Sequence, residues 1–152
     1  MRDGLKLRAN VFIIVGDQET GEEKVIETHN MVVDAGRNLV RDLLRGTVGT
    51  PVYYIAFGSS SAAPSSGQTT LSNELVRYAF SIPADAITGQ LTFHYYMSSA
   101  SGPNGSNICE VGLFTAASNG TMYARATFSA VAKTTGIYLK ITWVLGFNDD
   151  GV

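Results

Sequence analysis

Alternation of apolar and polar residues is the clearest pattern in this sequence, and it is strongest between residues 137 and 147. Every second residue in that segment is apolar: Ile137, Leu139, Ile141, Trp143, Leu145 and Phe147. A period of two buries one face of a β-strand and leaves the other face mostly open, as in an antiparallel sheet. The segment is therefore predicted to be a strand.

Similar segments recur along the chain, separated by polar turns. They predict strands at residues 5–15, 22–28, 52–57, 75–82, 90–97, 108–115, 121–129 and 137–147, with a turn at 83–89. Asn119-Gly120 is a strong hairpin signal because both residue types tolerate positive φ. Two long loops, at 59–70 and 98–107, are rich in serine and glycine.

One segment changes period. After Asp34, apolar residues fall at helical spacing, at Ala35, Leu39, Val40, Leu43 and Leu44. Asp34 is predicted to cap this helix, and Gly46 to end it in the left-handed conformation. The whole pattern predicts an all-β fold: one antiparallel β-sandwich domain over residues 1–152, jelly-roll-like, with a short inserted α-helix at about 35–45 that closes an open end or edge.

The composition bears on what such a domain does. Hydrophobic residues make up 45% of the chain and charged residues only 16%, against about 25% charged in a typical domain. A surface built mainly from Ser, Thr, Asn, Gly and Tyr suits packing against other protein. It is equally typical of an ordinary β-domain of low charge, so composition alone leaves both interpretations open.

Several classes of protein are disfavoured. The net charge is −2, and no basic cluster exists outside the helix, so we expect no nucleic-acid binding. The longest apolar run, Val11–Val15, is far shorter than the roughly 20 residues of a membrane helix, so we expect no membrane insertion. No secretion signal is recognisable, and the single Cys109 excludes an intramolecular disulfide. Synthesis in a reducing cytoplasm fits these features.

A row of arginines lies along one face of the predicted helix, at Arg37, Arg41 and Arg45. Such a row is typical either of a phosphate-binding stripe or of a solvated, ion-paired face. The nearby Asp34 and Asp42 favour the ion-paired face.

Residue types that carry catalysis do not form a recognisable constellation. His29 and His94 lack a partner at zinc-ligand spacing, and neither has an obvious orienting acid. Cys109 is best interpreted as a buried structural cysteine. No phosphate-binding glycine loop and no nucleophile elbow is present. We therefore predict no enzymatic activity, no catalytic residues, no bound metal and no cofactor.

Carboxylates leave two weaker hypotheses. Calcium binding is one hypothesis for the acidic residues of the first hairpin turn and for the acidic pair near the end of the chain. They lack the alternation of a calcium loop, so solvation is the better interpretation for Glu19, Glu22, Glu23, Asp149 and Asp150. A pair of catalytic carboxylates for glycan cleavage would have to come from Glu74, Asp85 and Glu110, and nothing in the sequence brings them together.

Four segments, in order, resemble the structural proteins of tailed-bacteriophage virions. They are His29–Leu44 (HNMVVDAGRNLVRDLL), Tyr54–Ser59 (YIAFGS) with the loop ending in Thr70–Arg77 (TLSNELVR), Ile108–Phe114 (ICEVGLF) and Met122–Phe128 (MYARATF). The resemblance covers about residues 28–147. It departs from the family pattern after Gly58, where Ser59–Ser61 replaces a second glycine.

The matching positions have a physical interpretation. Gly36 would let the start of the helix pack closely on a strand, and Gly112 would leave room for a neighbouring ring or backbone. Charge-assisted pairs between Glu74 or Glu110 and Arg77 or Arg125 would fix hairpins together. The alternative is that these charges project separately into solvent.

The resemblance implies a virion building block made in the cytoplasm of a bacterial host. A 16.2 kDa chain without heptads, repeats or a second domain suits a capsid decoration (cement) protein. We expect such a protein to form a homotrimer on the virion surface, and to bind the major capsid protein and stabilise the mature capsid.

Two other functions stay open at this stage. One is a small tail, baseplate or receptor-binding component that uses the Ser/Gly loops for recognition. The other is a carbohydrate-binding module with stacking tyrosines, although the candidates split between opposite strand faces: Tyr53, Tyr54, Tyr95 and Tyr96.

Overall fold

The computed structural model describes residues 6–80 and 85–147. Within these residues the chain forms nine β-strands and one α-helix: β1 (Arg8–Asp17), β2 (Glu23–Val32), α1 (Asp34–Arg45), β3 (Tyr54–Gly58), β4 (Glu74–Ala79), β5 (Asp85–Ile87), β6 (Gln90–Met97), β7 (Asn107–Phe114), β8 (Met122–Ala132) and β9 (Ile137–Gly146). The predicted all-β class with one inserted helix is confirmed.

All strand pairs are antiparallel, and the strand order is β4-β3-β7-β8-β2-β1-β9-β6-β5. Strand β2 joins the two halves of this sheet. Residues 23–29 pair with β1, whereas Asn30, Met31 and Val32 pair with β8. The sheet curls so that its two ends face each other across a shared core, which gives the sandwich-like architecture.

Aromatic contacts show how the two ends meet. Tyr78 of β4 stacks on Tyr95 of β6 with ring centroids 5.4 Å apart, and Phe57 of β3 lies 5.8 Å from the same ring. Phe80, just after β4, packs on Phe93 of β6 at 4.9 Å. These rings from opposite ends of the strand order therefore form one wall of the core.

The alternating residues of β9 behave as their period predicts. Leu139, Ile141, Trp143 and Leu145 are buried, and they pack with Val11 and Ile13 of β1 in the main core. A smaller cluster of buried residues lies beneath the start of the helix and the β7–β8 hairpin: Val33, Ala56, Leu71, Phe114 and Met122.

Helix α1 packs on β8 through its first turn. A Cβ on Gly36 would overlap the carbonyl oxygen of Tyr123, so the close approach predicted for this glycine is confirmed. Gly46 ends the helix with φ of 71°, as predicted. The predicted cap is wrong: the N-cap residue is Val33, without a side-chain cap, because the Asp34 carboxylate lies within the first turn and accepts a hydrogen bond from Arg37.

Most strand boundaries differ from those predicted by one to four residues, and β2 differs most, because it continues to Val32 instead of ending at residue 28. Strand β4 ends at Ala79, and the last two residues predicted for it lie outside the described residues, as does Leu5 of the first strand. Part of the turn predicted at 83–89 is the short edge strand β5, whose three residues are all exposed and pair with β6. An exposed edge strand has no buried face, so it carries no apolar alternation. In the described part of the chain, no helix has the length and apolar character that crossing a bilayer requires.

Candidate functional site

A buried ion pair fixes the long loop between β3 and β4. Arg125 Nε donates to Glu110 Oε2 at 2.8 Å, and both side chains are fully buried. Glu110 also accepts backbone N–H groups from Ser60, Ser72 and Asn73 at 3.2, 3.1 and 2.8 Å. Through Nη1, Arg125 also donates to the carbonyl oxygen of Ala62 at 2.8 Å. One of the predicted charge pairs is thereby confirmed, and its role is to tie the loop to the sheet.

A second pair fixes the β7–β8 hairpin turn. Arg77 makes a bidentate contact with Glu74 at 2.9 and 2.7 Å, and its Nη1 donates to the carbonyls of Ala116 and Asn119 at 2.9 and 2.8 Å. The guanidinium also stacks over the Phe114 ring, 3.6 Å from its centroid. The alternative that these charges project separately into solvent is therefore wrong for both pairs.

A buried lysine organises the loop between β6 and β7. The Lys133 side chain is 1% exposed, and its ammonium donates to Ser99 O at 3.0 Å, Asn104 Oδ1 at 2.7 Å and Thr134 O at 3.0 Å. All three acceptors are neutral, and burial lowers the pKa of Lys133. Sequence reasoning missed this residue, because a lone lysine after a strand is normally a solvated side chain.

The residues considered for catalysis do not converge on one site, although His94, for which the sequence showed no orienting acid, lies beside Asp85. His94 is exposed, with Nε2 3.2 Å from Asp85 Oδ2. Glu74 and Glu110 are each paired with an arginine. Burial raises the pKa of the Cys109 thiol, which makes it a poor nucleophile. Within residues 6–80 and 85–147, no three histidine, cysteine or carboxylate side chains are placed to hold a metal ion.

The remaining charged candidates are largely satisfied on the surface. Arg37 pairs with Asp34 at 2.8 Å, and Arg41 with Asp42 at 2.7 Å, so the arginine row is an exposed ion-paired face. In the first hairpin turn, the Asp17 carboxylate accepts the backbone N–H of Glu19 at 2.8 Å. Asp149 and Asp150 lie outside the described residues.

An apolar groove runs between α1 and the core, with a volume of about 440 Å³. Its base consists of core residues such as Phe93, Tyr123 and Leu145, and its rim of helix residues together with the segment before β3. On that rim Leu44 is 82% exposed and Tyr53 is 55% exposed. The helix therefore covers the sandwich only partly, and the groove leaves apolar core surface open to solvent. In the sequence, the adjacent Leu43 and Leu44 were the signal that could have indicated an exposed apolar surface on the helix.

The four tyrosines proposed as a stacking platform lie in different surroundings. Tyr95 belongs to the core stack with Tyr78, and Tyr54 packs against the smaller buried cluster. Tyr53 lines the groove, whereas Tyr96 projects from the outer face of β6 beside Tyr138. The structure does not form that platform.

Comparisons with protein-family models, with curated proteins and with solved structures gave no match.

Proposed function

We propose that this chain is a non-enzymatic structural protein of a tailed-bacteriophage virion, and specifically a capsid decoration protein. In this proposal it binds the outer surface of the mature capsid and bridges major capsid subunits. The observation that carries the proposal is the apolar groove beside α1, with Leu44 and Tyr53 exposed on its rim. The four sequence segments that resemble virion proteins supply the biological setting.

The groove favours binding to protein over a purely solvated existence. Contiguous apolar surface that is open to solvent is typical of protein–protein interaction sites. Burying a large side chain such as that of Leu44 contributes about 1.5–3 kcal/mol relative to leaving it exposed. The groove offers this gain at its rim and a preformed core surface at its base, so a partner side chain can enter without rearranging the fold.

Bridging several subunits calls for more than one copy. In the proposed homotrimer, three grooves engage the shell together, and the second and third contacts form at high effective concentration. Weak individual contacts then add up to stable decoration. If the trimer binds only the mature lattice, it stabilises that state by mass action.

The alternative, a small tail, baseplate or receptor-binding component, is favoured by a different observation. Both long loops are held in fixed conformations, one by Glu110 and Arg125 and the other by Lys133. Loops that are already ordered lose little conformational entropy on binding, as recognition loops should. The two functions place the protein at different positions on the particle.

The deciding experiment uses particles that lack this protein, to which purified protein is added back. We expect wild-type protein to label the capsid surface and to raise the temperature at which the particles rupture. Leu44→Glu should lose both effects, because it places a charge on the groove rim. The matched control is Val25→Glu, which changes a 60% exposed residue of β2 that does not line the groove.

Labelling found only on the tail would support the alternative function. Equal loss of binding in the Leu44 and Val25 variants, or unchanged rupture temperatures with wild-type protein, would overturn the proposed role of the groove in capsid decoration.

A further inference from the structure

The outer face of the sheet carries a second depression, which is rich in hydrogen-bonding groups. It lies on β1, β6 and β9 and has a volume of about 540 Å³, within the range of about 300–1,000 Å³ typical of small-ligand sites. Outward-facing side chains that line it are Ile14, His94, Tyr96, Lys140 and Thr142. None of them belongs to the groove beside α1.

A second tyrosine, Tyr138, lies beside this depression, next to its lining residue Tyr96. The ring of Tyr138 lies over Gly16, where any Cβ would overlap it. Its hydroxyl donates to Glu23 Oε1 at 2.8 Å, and Lys140 Nζ donates to the same oxygen at 2.7 Å. These two hydrogen bonds hold the pKa of the Glu23 carboxyl below its ordinary value. The Tyr138 ring is therefore fixed at both ends before any ligand arrives.

Tyr96 forms the open aromatic surface beside it. Its side chain is 55% exposed, and its ring centroid lies 5.9 Å from that of Tyr138 with an interplanar angle of 48°. Tyr96 is paired across the strands with Lys140, and His94 with Thr142. An aromatic face thus sits directly next to an ammonium, a hydroxyl and an imidazole.

The lysine charge on this face is matched internally. Lys140 is paired with Glu23 at 2.7 Å, and the exposed carboxylate of Asp85 lies 3.2 Å from Nε2 of His94. The two carboxylates would repel an acidic ligand, and the lysine charge is already partnered. What remains is hydrogen-bonding capacity, because an ammonium carries three donors and a hydroxyl both donates and accepts. The surface therefore complements a ligand that is neutral, polar and flat on one side.

We infer that this face, which we call the Tyr96 face (Tyr96, Tyr138, Lys140, His94 and Thr142), binds neutral saccharides. A pyranose ring has one face of C–H groups, which packs on an exposed aromatic ring, and equatorial hydroxyls, which need donors and acceptors around that ring. Tyr96 supplies the ring, and Lys140 and Thr142 supply the polar partners. Both ring nitrogens of His94 already have partners, in Asp85 and Thr142. This inference does not rest on the proposed capsid function.

The test measures binding of four neutral disaccharides: lactose, maltose, cellobiose and diacetylchitobiose. Each is titrated into isotopically labelled protein while backbone amide resonances are recorded. We expect at least one of them to shift amides at residues 94–96 and 138–142 with a millimolar dissociation constant, as suits one shallow site. Tyr96→Ala should weaken this binding by at least about tenfold, whereas Tyr96→Phe should retain it because the ring is kept.

The matched control is Tyr53→Ala, since Tyr53 is also 55% exposed but lines the groove. This variant should bind like wild type. The inference is overturned if none of the four disaccharides shifts these amides, if the shifts map outside the Tyr96 face, or if Tyr96→Ala binds as tightly as wild type.

Discussion

Oε2 of Glu110 and Nε of Arg125 lie 2.8 Å apart at a position where solvent reaches neither side chain. The pair joins β7 to β8, and through Asn73 and Ala62 it also joins both strands to the loop that precedes β4. A charge buried this completely is stable only with its partner in place. The loop and the sheet are therefore held by the same two residues.

Glu110→Gln is expected to lower the free energy of unfolding by about 3–5 kcal/mol, because it leaves the Arg125 guanidinium buried without a counter-charge. Urea denaturation measures the change. The control is Asp34→Asn, which breaks an exposed pair with Arg37 and should change stability by less than about 1 kcal/mol. Similar losses in the two variants would show that burial does not set the importance of the Glu110–Arg125 pair.

Gly36→Ala is expected to destabilise the protein by about 1–3 kcal/mol, because its methyl group would overlap a backbone oxygen that cannot rotate away. That oxygen belongs to Tyr123, so α1 would have to move off β8. Gly49→Ala is the control, since its added Cβ meets no atom within 4 Å. Thermal unfolding of the two variants should separate clearly, and equal melting temperatures would contradict the close packing of the helix.

Lys133→Met is expected to loosen the loop between β6 and β7. The substitution keeps most of the side-chain volume but leaves the oxygens of Ser99, Asn104 and Thr134 without their shared donor, and each lost hydrogen bond contributes about 0.5–1.5 kcal/mol. Hydrogen exchange should accelerate at residues 98–106 and stay unchanged in β1 and β9. Lys140→Met, at an exposed lysine, should leave exchange in this loop at its wild-type rate; acceleration there too would contradict a specific role of Lys133.

Alkaline pH is expected to weaken the fold through a buried tyrosine. Burial raises the pKa of Tyr123 to about 12, from an ordinary value of 10.0. Between these values the unfolded chain has lost the proton that the native chain keeps, so the stabilising contribution is complete below pH 10 and is lost as pH rises toward about 12. Burial lowers the pKa of Lys133, and that effect has the opposite sign.

Comparing Tyr123→Phe with wild type cancels the lysine contribution. The variant should show a shallower fall in unfolding free energy across this pH interval, measured by urea denaturation at several pH values. Parallel curves for the two proteins would show that Tyr123 titrates normally.

The fold class was predictable because the information is local. A residue such as Ile141 alternates with the polar Lys140 and Thr142, and that period alone assigns it to a buried strand face. Helix α1 was equally clear from its change of period. Close packing at Gly36 was predictable because a glycine at a helix start has few other roles. The charge pairs were predictable as candidates because opposite charges within strands have few roles besides pairing.

The groove and the Tyr96 face depend on which elements lie next to each other in the fold. A local sequence pattern carries no information about that arrangement. The groove exists because α1 covers the core beside it only partly, and the exposure of Leu44 follows from that placement. The Tyr96 face needs β1, β6 and β9 side by side, although β1 and β9 are far apart in sequence. The alternation did place Tyr95 and Tyr96 on opposite strand faces, and the ring of Tyr95 does pack in the core.

The pairing of β1 with β9 also governs how the protein reaches its native state. Arg8–Asp17 aligns with Gly146–Ile137 along its whole length, so nearly the entire chain must be made before this ladder can close. Closing so long a loop is entropically costly, and folds dominated by such pairings fold slowly. During synthesis, β1 can pair only with β2 until β9 has been made. Its apolar residues Val11 and Ile13 lack their β9 packing partners until then. Newly made chains are therefore more prone to aggregation than the finished fold, and yield in cells should depend on folding rate as much as on stability.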